Sequence, residues 1–98
     1  MIITNLSKMP YAQAAVHICE EGIALVSYVT TVAIINKEGW VTVGGLYSAT
    51  TRRHLSAFAS EYCGTSYYTL KKCYTDDLQY NIHTKEFYSN KTGEVWTE

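Results

Sequence analysis

A chain of 98 residues with 47% hydrophobic and 17% charged residues has the length and composition of one globular domain, not of a disordered segment. Eight Lys and Arg against nine Asp and Glu leave a net charge of −1, which excludes the broad basic field of a general nucleic-acid binder. Nine Tyr stand beside two Phe and two Trp, so the aromatic surface is weighted toward side chains with an apolar body and a polar tip, suited to half-buried sites and contact surfaces.

The first segment, MIITNLSKMPYAQAAV, has no basic start followed by a long apolar run, and no apolar stretch in the chain is long and unbroken enough to span a bilayer. A cytosolic protein of whatever cell makes it, with no membrane partner, is the resulting expectation. In that compartment Cys19, Cys63 and Cys73 are free thiols, for which burial is the usual fate.

After an irregular lead ending near Pro10, AVHIC at 15–19 reads as a strand and Glu20–Gly22 as a turn. The run IALVSYVTTVAII from Ile23 to Ile35 is rich in β-branched residues but too long for a typical strand, so it reads as one bent strand or two meeting near Tyr28–Thr30. NKEG at 36–39 and NKTG at 90–93 each place Gly at the end of a four-residue connection between β-type runs, a hairpin signal.

Residues 50–63 carry Leu55, Phe58, Ala59 and Tyr62 at i, i+3, i+4 and i+7, one apolar stripe of a helix. Ser48 or Thr50 can cap its start and Gly64 its end. A second helix is expected over 66–76, with Tyr67, Leu70 and Tyr74 on one face and Lys71 and Lys72 turned away. YNIHT reads as a strand, followed by the FYS–NKTG–EVW hairpin. The order implies a single α+β domain over 1–98: a curved antiparallel sheet of about 4–6 strands with two consecutive helices, about 50–63 and 66–76, packed on one face.

No catalytic or metal-binding set emerges. His17, His54 and His83 lack the spacing of a metal site, and His17-x-Cys19 shares a strand face that suits a buried structural pair better than a ligand pair. Cys63 falls near a helix C-terminus, where the dipole raises a thiol pKa. Adjacent carboxylates at 20–21 and 76–77 point to opposite sides of an extended chain, and Gly44-Gly45 lacks the lysine and spacing of a phosphate loop. The expectation is a protein that is not an enzyme and uses no cofactor.

Binding is the better lead. Arg52 and Arg53 occupy a first helical turn, where cations oppose the dipole, beside the hydroxyls of Ser48, Thr50 and Thr51 and the unpaired N–H groups of that turn. These are the parts of an anion site, which Lys71 and Lys72 extend if the helices lie side by side. The alternative is that the arginines pair with carboxylates on a neighbouring element while their stems cover apolar surface. Tyr67 and Tyr68 are consecutive at a helix start, so one of them faces outward and offers an aromatic contact.

Two segments, SY-x-T-x-VA at 27–33 and GLYSATTRRHL-x-x-F at 45–58, resemble a group of small uncharacterised proteins encoded by bacteriophages and prophages. The resemblance covers about a third of the chain and transfers no activity and no site residue. What it implies is context: a small interaction protein that binds and blocks a host protein, including defence machinery such as a nuclease or a CRISPR effector. The competing reading is a nucleic-acid module with Arg52, Arg53, Lys71 and Lys72 on phosphates. A homodimer through the edge of the 86–96 hairpin is a further option, weighed against the protection that Lys85, Glu86, Lys91 and Glu94 would give that edge.

Overall fold

A computed structural model describes residues 1–10, 12–46 and 48–98; Tyr11 and Tyr47 lie outside the described residues. The β-branched runs form eight strands: β1 Ile2–Thr4, β2 Ala14–Cys19, β3 Gly22–Ser27, β4 Thr30–Asn36, β5 Trp40–Val43, β6 Leu78–Asn81, β7 Glu86–Ser89 and β8 Val95–Thr97. They form one open antiparallel meander in sequence order, so every strand pairs with its chain neighbour. The α+β class agrees with the sequence, but eight strands exceed the expected 4–6. The excess comes partly from β1, whose Ile2 and Ile3 pair with Ile18 and His17 inside what reads as an irregular lead.

The long run divides as expected at Tyr28–Val29, where Tyr28 takes φ 57 and Val29 is 96% exposed. A bulge at Leu25/Val26 shifts the β3–β4 register and bends the pair. Both NKxG connections close hairpins, with Gly39 at φ 93 and Gly93 at φ 76. The expected strand over YNIHT is displaced, because β6 begins at Leu78 and stops at Asn81. Asn81 Oδ1 accepts the backbone N–H groups of His83 and Thr84 at 2.9 and 3.0 Å, turning the chain before a longer strand can form.

The helices enter between β5 and β6. α1 spans Ala49–Phe58, capped by Ser48, whose Oγ accepts the Thr51 N–H at 3.2 Å. The expected 50–63 helix is not uniform, since Ala59–Cys63 continues it as a π-helical turn that ends at Gly64, φ 61. α2 spans Tyr67–Thr75. α1 packs on β3 and β4, and α2 on β5 and β6, so both cover the same face.

The register builds the core. Val16, Leu25, Ala33 and Val43 line up across β2–β5 and are all buried, as are Ile35, Val41, Tyr80 and Phe87 across β4–β7. Leu55, Phe58, Cys63, Leu70 and Cys73 descend on them from the helices. At about 25 cal/mol per Å² of apolar surface, such fully buried Leu and Phe side chains contribute roughly 1.5–3 kcal/mol each. Tyr74, expected on the packed face of α2, is 46% exposed; Cys73, one position earlier, is buried in its place. Cys63 and Cys73 follow the expected burial and Cys19 does not, as it is exposed on β2.

Candidate functional site: a cationic, tyrosine-lined cleft

Side-by-side packing of α1 and α2 leaves a groove between their outer flanks. Arg52, Arg53 and Ser56 of α1 face Tyr67, Tyr68 and Lys71 of α2 across a cleft of about 460 Å³, within the range of ligand pockets. Tyr67 is half-buried against the core and stands edge-on to Tyr68, with ring centroids 5.7 Å apart. Tyr68 itself is 75% exposed. The structure therefore brings together Arg52, Arg53, Lys71, Tyr67 and Tyr68, five of the side chains singled out in the sequence.

Ser48, Thr51 and Lys72 are placed elsewhere. Ser48 is spent on the helix cap, and Thr51 is buried beneath α1. Thr50, in the first turn of α1, is not among the residues lining the cleft. Lys72 is half-buried, pairs with the Glu98 carboxylate and holds its Nζ 5.2 Å from the centre of the Phe87 ring. It lies on the far side of α2 from Lys71 because adjacent helical residues diverge by about 100°.

The electrostatics of the cleft are one-sided. Among the described residues no carboxylate lines it, and α1 carries no acidic residue in its first turn. Among the described residues the one ion pair is Lys72–Glu98, so Arg52 and Arg53 do not have the carboxylate partners that the alternative reading required. Three cations thus face solvent together; because α1 begins at Ala49, only Arg52 belongs to its first turn, against the positive end of the helix dipole, and Arg53 falls in the second turn rather than the first as expected. An anion entering here meets the arginine forks, the lysine and a tyrosine hydroxyl, with an aromatic face beside them.

Sequence reasoning missed a buried polar cluster under the other flank of α1. Ser27 Oγ lies 2.8 Å from His54 Nδ1 and 3.2 Å from Thr51 Oγ1. The ring of Tyr28 covers it, 6.1 Å from that of His54. Burial pushes the His54 imidazole below its ordinary pKa. Ser27 is 2% and His54 1% exposed, which suits a structural network and leaves no path for a substrate. A signal was available: Thr51 and His54 share the helical flank of Leu55 and Phe58, and polar residues on an apolar stripe mark a buried hydrogen-bonded group.

On the opposite face of the sheet, His17 and Cys19 line a hollow of about 250 Å³ with Ala24 and Ile34. They share a strand face as expected, yet they are not the buried pair the spacing suggested. The Cys19 thiol beside Glu21 lowers the pKa of that carboxyl. Among the described residues no three His, Cys, Asp or Glu side chains are grouped to hold a metal ion. Cys63 and Cys73 are pushed up to about 12, first by burial, so both stay protonated. Among the described residues, no helix is long and apolar enough to cross a membrane.

No curated protein and no solved structure matches the chain. The sequence profile of a family of unknown function (DUF8033) matches residues 2–79, a span from β1 through both helices into β6 that includes the whole cleft, and the chain belongs to that family.

Proposed function

We propose that the protein is a small, non-catalytic binding protein that captures an acidic surface of a partner protein in the cleft between α1 and α2. The observation that carries this reading is the grouping of Arg52, Arg53 and Lys71 around an exposed Tyr68 with no carboxylate in the lining. Tyr and Arg are the side chains most enriched in binding hot spots, and cations left unpaired in the free protein attract and orient a negatively charged partner. The resemblance to phage and prophage proteins directs the choice of partner toward a host protein, with a defence nuclease or CRISPR effector as the specific case and the host cytoplasm as the place of action.

Nucleic acid is the second reading, favoured by the open ring of Tyr68 beside the arginines, which suits base stacking. Three phosphate contacts would give a salt slope of only about −2 to −3 in log K against log salt, a thin footprint on a chain with net charge −1. A protein surface, with its added apolar contacts, gives the same cleft more to hold.

The test is capture of partners from bacterial lysate, with and without nuclease, by the wild type and by an Arg52→Glu/Arg53→Glu variant. A partner retained after nuclease treatment and lost with the variant supports the first reading. Capture that nuclease abolishes transfers the site to the second. Capture unaffected by the variant removes the cleft from both.

A further inference from the structure

The helices cover one face of the sheet, and among the described residues no helix covers the other. Across all eight strands, Glu86 is the only Asp, Glu, Lys or Arg. A sheet face that evolved to meet water normally alternates charged side chains with the apolar set that faces the core. Here the outward row is instead Ile3–His17–Ala24–Ile34–Thr42, five residues in direct register from β1 to β5. Ile3 is 63% and Ile34 47% exposed. Beyond this row, Trp40 and Tyr88 stack edge-on at 6.1 Å and, with Gln79, line a second hollow on the same side. Val95 of β8 continues it, 50% exposed.

Apart from Glu86, which points outward beside Tyr88 on β7, the charges sit around this face and not on it. Glu20, Glu21, Lys37, Glu38, Lys91 and Glu94 all lie in the connections between strands. An uncharged centre with a charged rim is the anatomy of an interface. The hairpin edge fares differently from its sequence reading, because Glu86 falls on β7, inside the sheet, and the true edge strand β8 carries no charge of its own.

We propose that this face is a homodimer interface, formed by two copies of the chain packing sheet against sheet about a two-fold axis. An acidic partner would find no counter-charge on the strands and a basic one only Glu86, whereas a two-fold contact needs a surface complementary to itself, which a nearly uncharged face with apolar residues at its centre provides. The size fits. The molecule measures 39 × 29 × 20 Å; its shortest dimension accommodates one sheet and one helix layer. The broad face therefore presents on the order of 1,000 Å², against the roughly 800 Å² per partner of a standard stable interface. Two such faces pack about 10 Å apart, their strands within about 30° of parallel alignment. The two cationic clefts then lie on opposite outer surfaces of the dimer, each open to its own partner molecule.

The experiment is mass measurement by sedimentation and light scattering over a micromolar-to-millimolar dilution series. Wild type is compared with Ile34→Lys and Thr42→Lys, both at solvent-facing positions, so each is expected to fold. Trp40 emission in a Trp96→Phe background reports on the face without disturbing it. The expected result is a wild-type species of twice the 11.1 kDa chain mass, at least tenfold weaker association in both Lys variants, and a red shift of Trp40 on dilution that tracks the mass. A wild type that stays monomeric throughout overturns the proposal, including the case in which a different protein takes this face. So does a dimer that persists in both Lys variants, or one whose dissociation leaves Trp40 emission unchanged.

Discussion

Removing the Ser27 hydroxyl tests whether the cluster under α1 holds the helix to the sheet. Ser27→Ala deletes the partner of His54 Nδ1 at 2.8 Å and of Thr51 Oγ1 at 3.2 Å. Thr51 keeps the Ser48 hydroxyl, which donates to it at 3.3 Å, but Nδ1 is left buried with no other side-chain partner among the described residues. Leaving one buried polar atom unsatisfied costs about 1–3 kcal/mol. For a domain of this size each kcal/mol moves the melting temperature by roughly 4–8 °C, so a loss near the middle of that range lowers Tm by about 10 °C. The removed oxygen also leaves a small void, which adds to the loss.

The same cluster makes stability depend on pH. Burial holds the folded-state pKa of His54 below its ordinary value of 6.5. The unfolded chain, with its imidazole at that ordinary value, binds a proton more readily than the native one. Stability contributed by neutral His54 is therefore fully present above about pH 6.5 and is lost as pH falls below it, by at most about 1.4 kcal/mol per pH unit. A His54→Leu variant lacks this dependence. Circular dichroism melts of wild type, Ser27→Ala and His54→Leu between pH 8 and pH 5 check both points. The wild type is more stable than His54→Leu at pH 8, and the gap narrows on acidification. A Ser27→Ala shift below about 2 °C, or a gap that stays constant over that pH range, refutes the network as a stabilising element.

Other outcomes follow from single features. Arg52→Glu is expected to raise stability by about 0.3–1 kcal/mol at low salt, because residue 52 closes the first turn of α1, while Arg53→Glu, in the second turn, gains less, and chemical denaturation measures both. Under native conditions a thiol reagent at pH 8 labels Cys19 alone, since Cys63 and Cys73 are buried with pKa values of about 12, and unfolding exposes all three. Two glycines separate conformation from space. Gly93, at φ 76 with nothing within 4 Å of an added Cβ, tolerates Ala at a cost of about 1–2 kcal/mol. At Gly22 the same Cβ would lie 2.0 Å from the Ile35 carbonyl oxygen, so Gly22→Ala abolishes cooperative melting.

Turns and helices were legible because their signals are local. NKEG and NKTG closed hairpins where Gly marked them, and Ser48 and Gly64 bounded the helical segment. The positions that misled depend on distant contacts. Ile2–Thr4 becomes a strand only because β2 is there to pair with it. YNIHT has strong β-formers, yet the Asn81 side chain captures the next two amides and ends the strand. On α2, the choice of Cys73 over Tyr74 for the packed side shows that helical periodicity fixes spacing but not the angle at which the stripe meets the sheet. The cleft was legible in its parts, since Arg52, Arg53, Lys71, Tyr67 and Tyr68 were each marked. The loss of Lys72 to Glu98 and of Thr51 to Ser27 required the tertiary arrangement.

Arg52 breaks a local rule that the rest of α1 obeys. Ser48 caps the helix, Leu55 and Phe58 bury its stripe, and no carboxylate in the first turn offsets the cation that closes it. Elsewhere a cation is settled, as Lys72 is by Glu98 and the Phe87 ring. A cost of about 0.3–1 kcal/mol at Arg52 is a measurable share of a marginal stability of about 5–15 kcal/mol. Local conflicts retained without a structural gain concentrate at functional sites. Here the conflict falls on a residue that shares one cleft with an exposed tyrosine and two further cations. The strands show the converse: Glu86 apart, they omit charge where water-facing positions would ordinarily carry it. The two departures lie on opposite faces, so self-association through the sheet would leave the cationic clefts free, and a dimer would present two of them. Linking two such sites raises avidity for a multivalent acidic target without any new contact, which makes dimer-breaking substitutions at Ile34 a test of binding strength as well as of assembly.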